Sequence, residues 1–120
     1  MVKIFTYKDL IVWQKAMDLV VAVYQLTKDF PHQEIYGLVS QMRRCVVSIP
    51  SNIAEGRRRG SRKDYRQFLL IAYASGSELE TQLEIIKRLN FCNNQDSLKA
   101  DQLLDEVMRM LNKILSILKS

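Results

Sequence analysis

The sequence predicts an all-α protein, an antiparallel up-and-down four-helix bundle that forms a single domain over residues 1–120. Apolar residues recur three or four positions apart in four long segments, which is the spacing of one helix face. The chain has only 4 glycines and 2 prolines, too few for a turn-rich β protein. No segment alternates apolar and polar residues as a half-buried strand does, and the connections between segments are short, as in bundles.

The first helical segment, residues 7–29, ends before Phe30-Pro31 because the residue preceding a proline disfavours helical backbone. Its two apolar rows together are wider than one bundle core requires. The row expected to face the core comprises Leu10, Trp13, Met17, Val20, Val21 and Tyr24. The row expected to pack against another subunit comprises Val12, Ala16, Leu19, Val23 and Leu26. The alternative is one helix that is buried on most sides.

The second segment, residues 33–59, contains Pro50. A proline inside a helix removes a backbone hydrogen bond and clashes with the preceding turn, at a cost of about 3 kcal/mol. We therefore expect a kink near Pro50, or a short break after which Ser48 caps a restarted helix. The apolar face of this segment comprises Ile35, Leu38, Met42, Cys45, Val46, Ile49 and Ile53.

The third and fourth segments are predicted over residues 61–91 and 97–118, with a turn at Asn93-Asn94 between them. Ser61 is a suitable N-cap for the third segment, and Asp64 completes a variant of the capping box. The fourth segment is clearly amphipathic, since its apolar side is followed on the opposite face by charged and polar residues. That apolar side comprises Leu103, Leu104, Val107, Met108, Leu111, Ile114, Leu115 and Leu118.

Composition indicates a cytoplasmic protein with no membrane association. The chain is 48% apolar, enough to bury a core, and its two cysteines, Cys45 and Cys92, lie far apart as in proteins of reducing compartments. The N-terminus has no signal-peptide pattern, and no apolar run approaches the roughly 20 residues that span a bilayer.

The residues predict no catalytic, metal or cofactor site, so we expect a protein that is not an enzyme. His32 is the only histidine and follows Pro31 in a turn, where it is expected to be solvated. A di-iron site in a bundle requires Glu-x-x-His pairs, and Glu78, Glu80 and Glu84 have no histidine at that spacing. The two cysteines lack zinc spacing.

Two polar rows on the second and third segments are expected to form a hydrogen-bonded network that fixes the register of the two helices. The rows comprise Gln41, Arg44, Ser48, Asn52 and Glu55 on one segment and Ser75, Glu78 and Gln82 on the other. In this arrangement Arg44 is expected to pair with Glu55 or Glu78.

The excess positive charge of the chain is concentrated at the junction of the second and third segments, which we call the basic corner. Residues 57–66 hold six cations and one acid, a local charge of +5, whereas the whole chain has 18 basic and 13 acidic residues. Five of the six are arginines, whose planar guanidinium suits bidentate phosphate contacts. We predict a nucleic-acid-binding surface of Arg57, Arg58, Arg59, Arg62, Lys63 and Arg66, extended by Arg43. A solvated surface and a dock for an acidic protein are the alternatives.

The chain resembles, over nearly its whole length, the four-helix-bundle proteins named for the intervening sequences of 23S ribosomal RNA genes. The most specific match is Asn-Ile-Ala-Glu-Gly at residues 52–56. Ala74 stands where a glycine is common in the family, which puts one close helix contact in doubt. The other matching stretches are residues 10–16, 30–31, 34–38, 41–44, 48–51, Ser75 and 78–81.

The resemblance implies a homopentamer around a central channel and no established enzymatic activity. Similar accessory proteins of diversity-generating retroelements bind nucleic acid and a reverse transcriptase, so both kinds of partner are expected here. It also implies that the matching polar residues serve fold and assembly rather than chemistry. These residues are Gln41, Arg44, Asn52, Glu55, Ser75 and Glu78.

Overall fold

A computed structural model describes residues 6–119, and within that range every regular element is helical. Four long helices are present, as the sequence predicts: α1 (Ile11–Thr27), α2 (Ser40–Arg58), α3 (Arg62–Arg88) and α4 (Asn94–Ile117). Helix α2 packs against α3 and α1, and α4 packs against α1 and α3, so that the four helices surround one core. No helix of the described range is long and apolar enough to span a membrane.

The start of α1 is set by a capped 3₁₀ turn, Tyr7–Asp9, rather than by a longer helix. The Thr6 hydroxyl accepts from the backbone N–H of Lys8, and the Asp9 carboxylate accepts from the backbone N–H of Thr6. Leu10 then adopts extended backbone, and α1 begins at Ile11. The helix is therefore shorter at both ends than the predicted 7–29.

The predicted assignment of the two apolar rows of α1 is wrong for the row expected at a subunit contact and is confirmed only in part for the row expected to face the core. Four residues of the row predicted to contact another subunit lie in the chain's own core, with exposed fractions of 3% or less: Val12, Ala16, Leu19 and Val23. Leu26, the fifth, is half-buried and packs against that core. In the row predicted to face the core, Met17, Val21 and Tyr24 are 40%, 54% and 41% exposed. The other three residues of that row are half-buried and pack against the core: Leu10, Trp13 and Val20. The reason is that α1 packs against both α2 and α4, and the side of α1 that faces these two helices carries the second row.

Helix α2 runs without interruption through Pro50, so the predicted break with a restarted helix at Ser48 is wrong. The backbone departs from helical geometry earlier, at Gly37 (φ −106°, ψ −110°), inside a π-helical turn of Ile35–Val39. A 3₁₀ turn, His32–Glu34, precedes it. The kink near Pro50 stays a prediction.

The junctions at both ends of α3 depend on side-chain caps. At the first, Gly60 has a φ of +83°, a backbone region that favours glycine, and the Ser61 hydroxyl accepts from the N–H of Asp64. At the second, Asn93 and Asp96 form a reciprocal capping box. Because this cap lies at Asn93, α4 begins three residues before the predicted start at 97.

The core contains side chains from all four helices, and its largest fully buried residues lie at the helix–helix contacts. The bulkiest of them are Leu19, Met42, Ile49, Ile53, Leu69, Leu79, Leu83, Ile86 and Leu111. Full burial of one such side chain contributes roughly 1.5–3 kcal/mol, and this core therefore fixes the positions of the helix ends that carry the basic corner.

Candidate nucleic-acid interface

The basic corner lies where α2 ends and α3 begins, and a close helix contact holds it in place. Gly56, one residue before the first arginine, is buried against α3. A Cβ at Gly56 would lie 2.7 Å from the Cβ of Phe68 and 3.2 Å from the carbonyl oxygen of Tyr65. Only a residue without a side chain allows α2 and α3 to come this close. Gly56 therefore determines how the two helices meet next to the arginines.

Each of the three consecutive arginines lies over a different aromatic ring. The guanidinium carbon of Arg57 is 5.8 Å from the ring centroid of Tyr65. That of Arg58 is 5.2 Å from Tyr7. Arg59 lies 4.9 Å from the Phe68 ring and also pairs with Glu55, one turn back, at 3.1 Å. All three arginines remain exposed, so these cation–π contacts position the guanidinium groups while leaving them open to a ligand.

The remaining cations of the corner, on the first two turns of α3, have different environments. Arg62 donates from Nη2 to the carbonyl oxygen of Ile117 at the end of α4, at 2.6 Å. Lys63 is exposed. Arg66 is half-buried, and its Nε is buried without a hydrogen-bond partner. The structure therefore brings six of the seven predicted cations to one end of the bundle.

Arg43 does not belong to the corner, and its predicted contribution to that surface is wrong. Its Nε donates to the Thr27 hydroxyl at 3.0 Å, its Nη2 donates to the Tyr24 carbonyl at 3.4 Å, and its guanidinium lies 4.4 Å from the Tyr24 ring. It precedes Arg57 by 14 residues on the same continuous helix, about 21 Å at 1.5 Å per residue. Arg43 instead joins α2 to the end of α1.

Part of the predicted polar network forms between α2 and α3, and we call these five residues the polar cluster: Cys45, Ser48, Asn52, Ser75 and Glu78. The Ser48 and Ser75 hydroxyl oxygens are 2.9 Å apart. The Asn52 amide donates to the carbonyl and hydroxyl oxygens of Ser48 at 2.8 and 2.9 Å. The Cys45 thiol donates to the Ser75 carbonyl at 2.9 Å and to Glu78 Oε2 at 3.5 Å.

The rest of the network is not joined to this cluster. Glu55 pairs with Arg59, and Arg44 forms no salt bridge with any acid of residues 6–119. Gln41 is exposed, and Gln82 is 5% exposed with its Oε1 unpartnered. Cys45 is the member that the sequence-based reasoning missed. It was assigned to the apolar face, although its position one turn before Ser48 places it on the same side of the helix.

The environments of the two cysteines do not favour nucleophilic chemistry. Burial, and then the Glu78 carboxylate, raise the pKa of the Cys45 thiol to about 12. Burial, followed by Asp96, raises the pKa of Cys92. Both thiols are therefore held protonated near neutral pH, and a protonated thiol is a poor nucleophile. No group of three metal-ligating side chains occurs in the described part of the chain.

Taken together, these features define a helical-bundle protein with an exposed arginine corner, in which three of the guanidiniums lie over aromatic rings. The family model of the 23S rRNA-intervening sequence proteins matches residues 8–113. The chain belongs to this family, as the resemblance at residues 52–56 indicated.

A solved structure supports the fold. A protein of unknown function from the S23 ribosomal protein family of Bacteroides thetaiotaomicron superposes with a TM-score of 0.78 at 24% identity, over 88% of this chain and 98% of its own. Since identity is this low, the likeness establishes the fold alone. Among the curated proteins, none matches the chain.

Proposed function

We propose that this protein is a non-enzymatic, cytoplasmic nucleic-acid-binding protein that contacts phosphates through the basic corner. The observation that carries the proposal is the row Arg57, Arg58 and Arg59, in which each guanidinium is exposed and supported by an aromatic ring. An arginine already held in place loses less conformational freedom when it binds a phosphate. The protonated thiols are consistent with a role that requires no nucleophile.

RNA is the preferred ligand in this proposal because the family is named for sequences that interrupt 23S rRNA. The side chains of the corner are mostly arginines, which suit phosphate oxygens, so the proposed contacts are with the phosphate backbone and are tolerant of sequence. A surface of four to six phosphate contacts gives weak binding that decreases steeply with salt.

Assembly into a homopentamer is the second part of the proposal. The exposed apolar row Met17, Val21 and Tyr24 on α1 supports it, because three adjacent large side chains on one helix face favour contact with another protein. This row replaces the one predicted from the sequence. Five copies of the basic corner in one particle would increase avidity by orders of magnitude without any new contact.

Light scattering tests the assembly directly. A pentamer of the 14.0 kDa chain gives a particle of about 70 kDa, and Val21→Glu is expected to reduce it to the monomer because a buried charge disrupts an apolar interface. Asp18→Asn, on the same helix, is a control that is expected to leave the particle intact. A monomeric wild-type protein would refute the pentamer. A Val21→Glu protein that remains pentameric would show that this face of α1 is not the subunit interface.

Binding is tested by fluorescence anisotropy with a structured RNA at two salt concentrations. We expect binding at low salt that weakens at high salt, and loss of most affinity when Arg57, Arg58 and Arg59 are replaced by Ala. A duplex DNA of equal length measures the preference for RNA. Absence of binding at low salt would refute the proposed function.

The alternative is an accessory factor whose corner docks an acidic protein, such as a reverse transcriptase. The Arg59–Glu55 pair favours it, since a carboxylate is already bound at this corner at 3.1 Å. Affinity purification from nuclease-treated lysate distinguishes the two functions. A partner that persists after nuclease treatment and is lost in the Arg57, Arg58 and Arg59 variant supports the accessory factor.

A further inference from the structure

Five of the six cations of the basic corner fall into two groups that differ in position, and the sixth, the half-buried Arg66, belongs to neither. Arg57 and Arg62 line a cleft of about 240 Å³ together with Tyr65 and Leu118. The cleft is bounded by the end of α2, the start of α3 and the residue that follows α4. Arg58, Arg59 and Lys63 do not line it and lie on the outer surface of the corner.

We propose that this cleft binds one terminal phosphate monoester, the 5′-phosphate of a nucleic-acid strand, and that the outer cations contact only the following backbone. The inference deepens the proposed nucleic-acid binding and rests on it for the identity of the strand. It assigns a ligand to the cleft lined by Arg57 and Arg62, and it separates their role from that of Arg58, Arg59 and Lys63.

The charge of the cleft matches this ligand. A phosphate monoester carries between one and two negative charges at neutral pH, with three terminal oxygens, whereas a backbone diester carries one charge. Two guanidiniums line the cleft and no acid does so among the described residues. Glu55, the acid one residue before Gly56, is paired with Arg59 on the outer surface.

Both guanidiniums are held in place before any ligand binds. The hydrogen bond from Arg62 Nη2 to the Ile117 carbonyl uses one of its N–H groups and leaves the others for an anion. Arg57 lies over the ring of Tyr65, which itself lines the cleft. Two guanidinium groups that line one small cleft favour an oxyanion that both can contact.

The cleft also has an apolar lining. Leu118, the residue that follows α4, and the ring of Tyr65 both contribute to it. Charge-assisted hydrogen bonds are stronger in a less polar environment, and a monoester, with its greater charge, gains more from this than a diester does.

The test compares two RNAs of identical sequence that carry either a 5′-phosphate or a 5′-hydroxyl. Wild-type protein is expected to bind the phosphorylated RNA about tenfold more tightly. Arg57→Ala and Arg62→Ala are expected to reduce that ratio to about one. Arg58→Ala removes the same charge outside the cleft. It is expected to weaken the binding of both RNAs and to leave the ratio of their two affinities unchanged. Circular dichroism confirms that each variant is folded.

A mononucleotide separates the failure of this inference from the failure of the proposed function. Adenosine 5′-monophosphate is expected to shift the amide resonances of Gly60 and Ser61 in NMR spectra, and adenosine is not. If the protein binds both RNAs with equal affinity, the proposed phosphate site in the cleft is wrong, whereas the proposed nucleic-acid binding stands. Shifts with the mononucleotide but no RNA binding overturn the function and support a phosphate cleft.

Discussion

Helices α2 and α3 form two adjacent regions with opposite character. The first region is the contact between the two helices, which contains the polar cluster and neighbouring core residues such as Ile49, and which we call the seam. Its side chains meet specific partners, such as the Ser48 and Ser75 hydroxyls 2.9 Å apart. In the basic corner, a few residues further along, the charged side chains are mostly exposed. The change occurs between Gly56, which is buried, and Arg57, which is exposed. If the corner binds nucleic acid as proposed, stability and ligand binding are expected to depend on separate residues of the same two helices.

The largest effect is expected in the core of the seam. Ile49 is fully buried on α2, and Ile49→Ala leaves a cavity that costs about 2–5 kcal/mol of unfolding free energy. Urea denaturation followed by circular dichroism measures this loss. Val47→Ala is the matched control, because Val47 lies on the same helix and is 40% exposed. We expect a change there within about 0.5 kcal/mol.

RNA affinity of Ile49→Ala, measured below its unfolding transition, is expected to equal that of the wild type. A loss of affinity in a folded Ile49→Ala protein would contradict the separation of the two regions.

The second effect concerns the residue at which the two regions meet. Gly56→Ala places a Cβ 2.7 Å from the Phe68 Cβ, and the helices must move apart because that atom is fixed close to the backbone. Overpacking of this kind costs about 1–3 kcal/mol, from which a helix-propensity gain of about 1 kcal/mol is subtracted. At Gly76 the added Cβ meets the flexible end of Met108 instead.

Gly76→Ala is therefore the control for Gly56→Ala, since it gains the same propensity against a side chain that can rotate away. Thermal unfolding is expected to show a lower midpoint for Gly56→Ala than for Gly76→Ala. Equal midpoints would show that the close contact at Gly56 does not constrain the corner.

The four helices were predictable because three-or-four spacing of apolar residues suffices to define a helix face. The face of α1 that enters the core was not predictable in this way. Both rows of α1 are apolar, and which one is buried depends on where α2 and α4 pack. The small side chain of Ala16 was an available signal, since small residues allow close helix contact. The charge of the corner was predictable from residues 57–66 alone.

The support of that charge by aromatic rings could not be predicted in the same way. Arg58 contacts Tyr7 from a distant part of the sequence, and only the fold brings α2's last turn beside the turn that precedes α1. Arg62 likewise reaches the carbonyl of Ile117 because α4 ends where α3 begins. Contacts between residues so far apart follow from tertiary packing and have no local pattern.

The third effect lies in the corner itself. Replacing Arg57, Arg58 and Arg59 by Ala is expected to weaken RNA binding by tenfold or more at moderate salt. If the three guanidiniums each contact one phosphate, the slope of log affinity against log salt decreases in magnitude by about 2–3. The loss of three exposed cation–π contacts and one exposed ion pair is expected to cost about 1.5–4 kcal/mol of stability.

The control for this variant replaces three exposed lysines elsewhere, Lys28, Lys99 and Lys113, and changes the net charge equally. It is expected to retain most of the affinity and of the salt slope. An equal loss in both variants would show that net charge, rather than the corner, accounts for binding.

The smallest effect is expected in the polar cluster. Ser48→Ala removes the hydroxyl that contacts both Ser75 and the Asn52 amide, although Asn52 retains its bond to the Ser48 carbonyl. Because Ser75 and Asn52 are only partly buried, water replaces part of what is lost, and we expect a cost of about 1 kcal/mol. Ser51→Ala gains the same helix propensity at an exposed position, so the difference between the two variants isolates the hydrogen bonds. If chemical denaturation gives the two variants equal stability, the cluster contributes nothing to the seam, and apolar packing alone sets the register of α2 on α3.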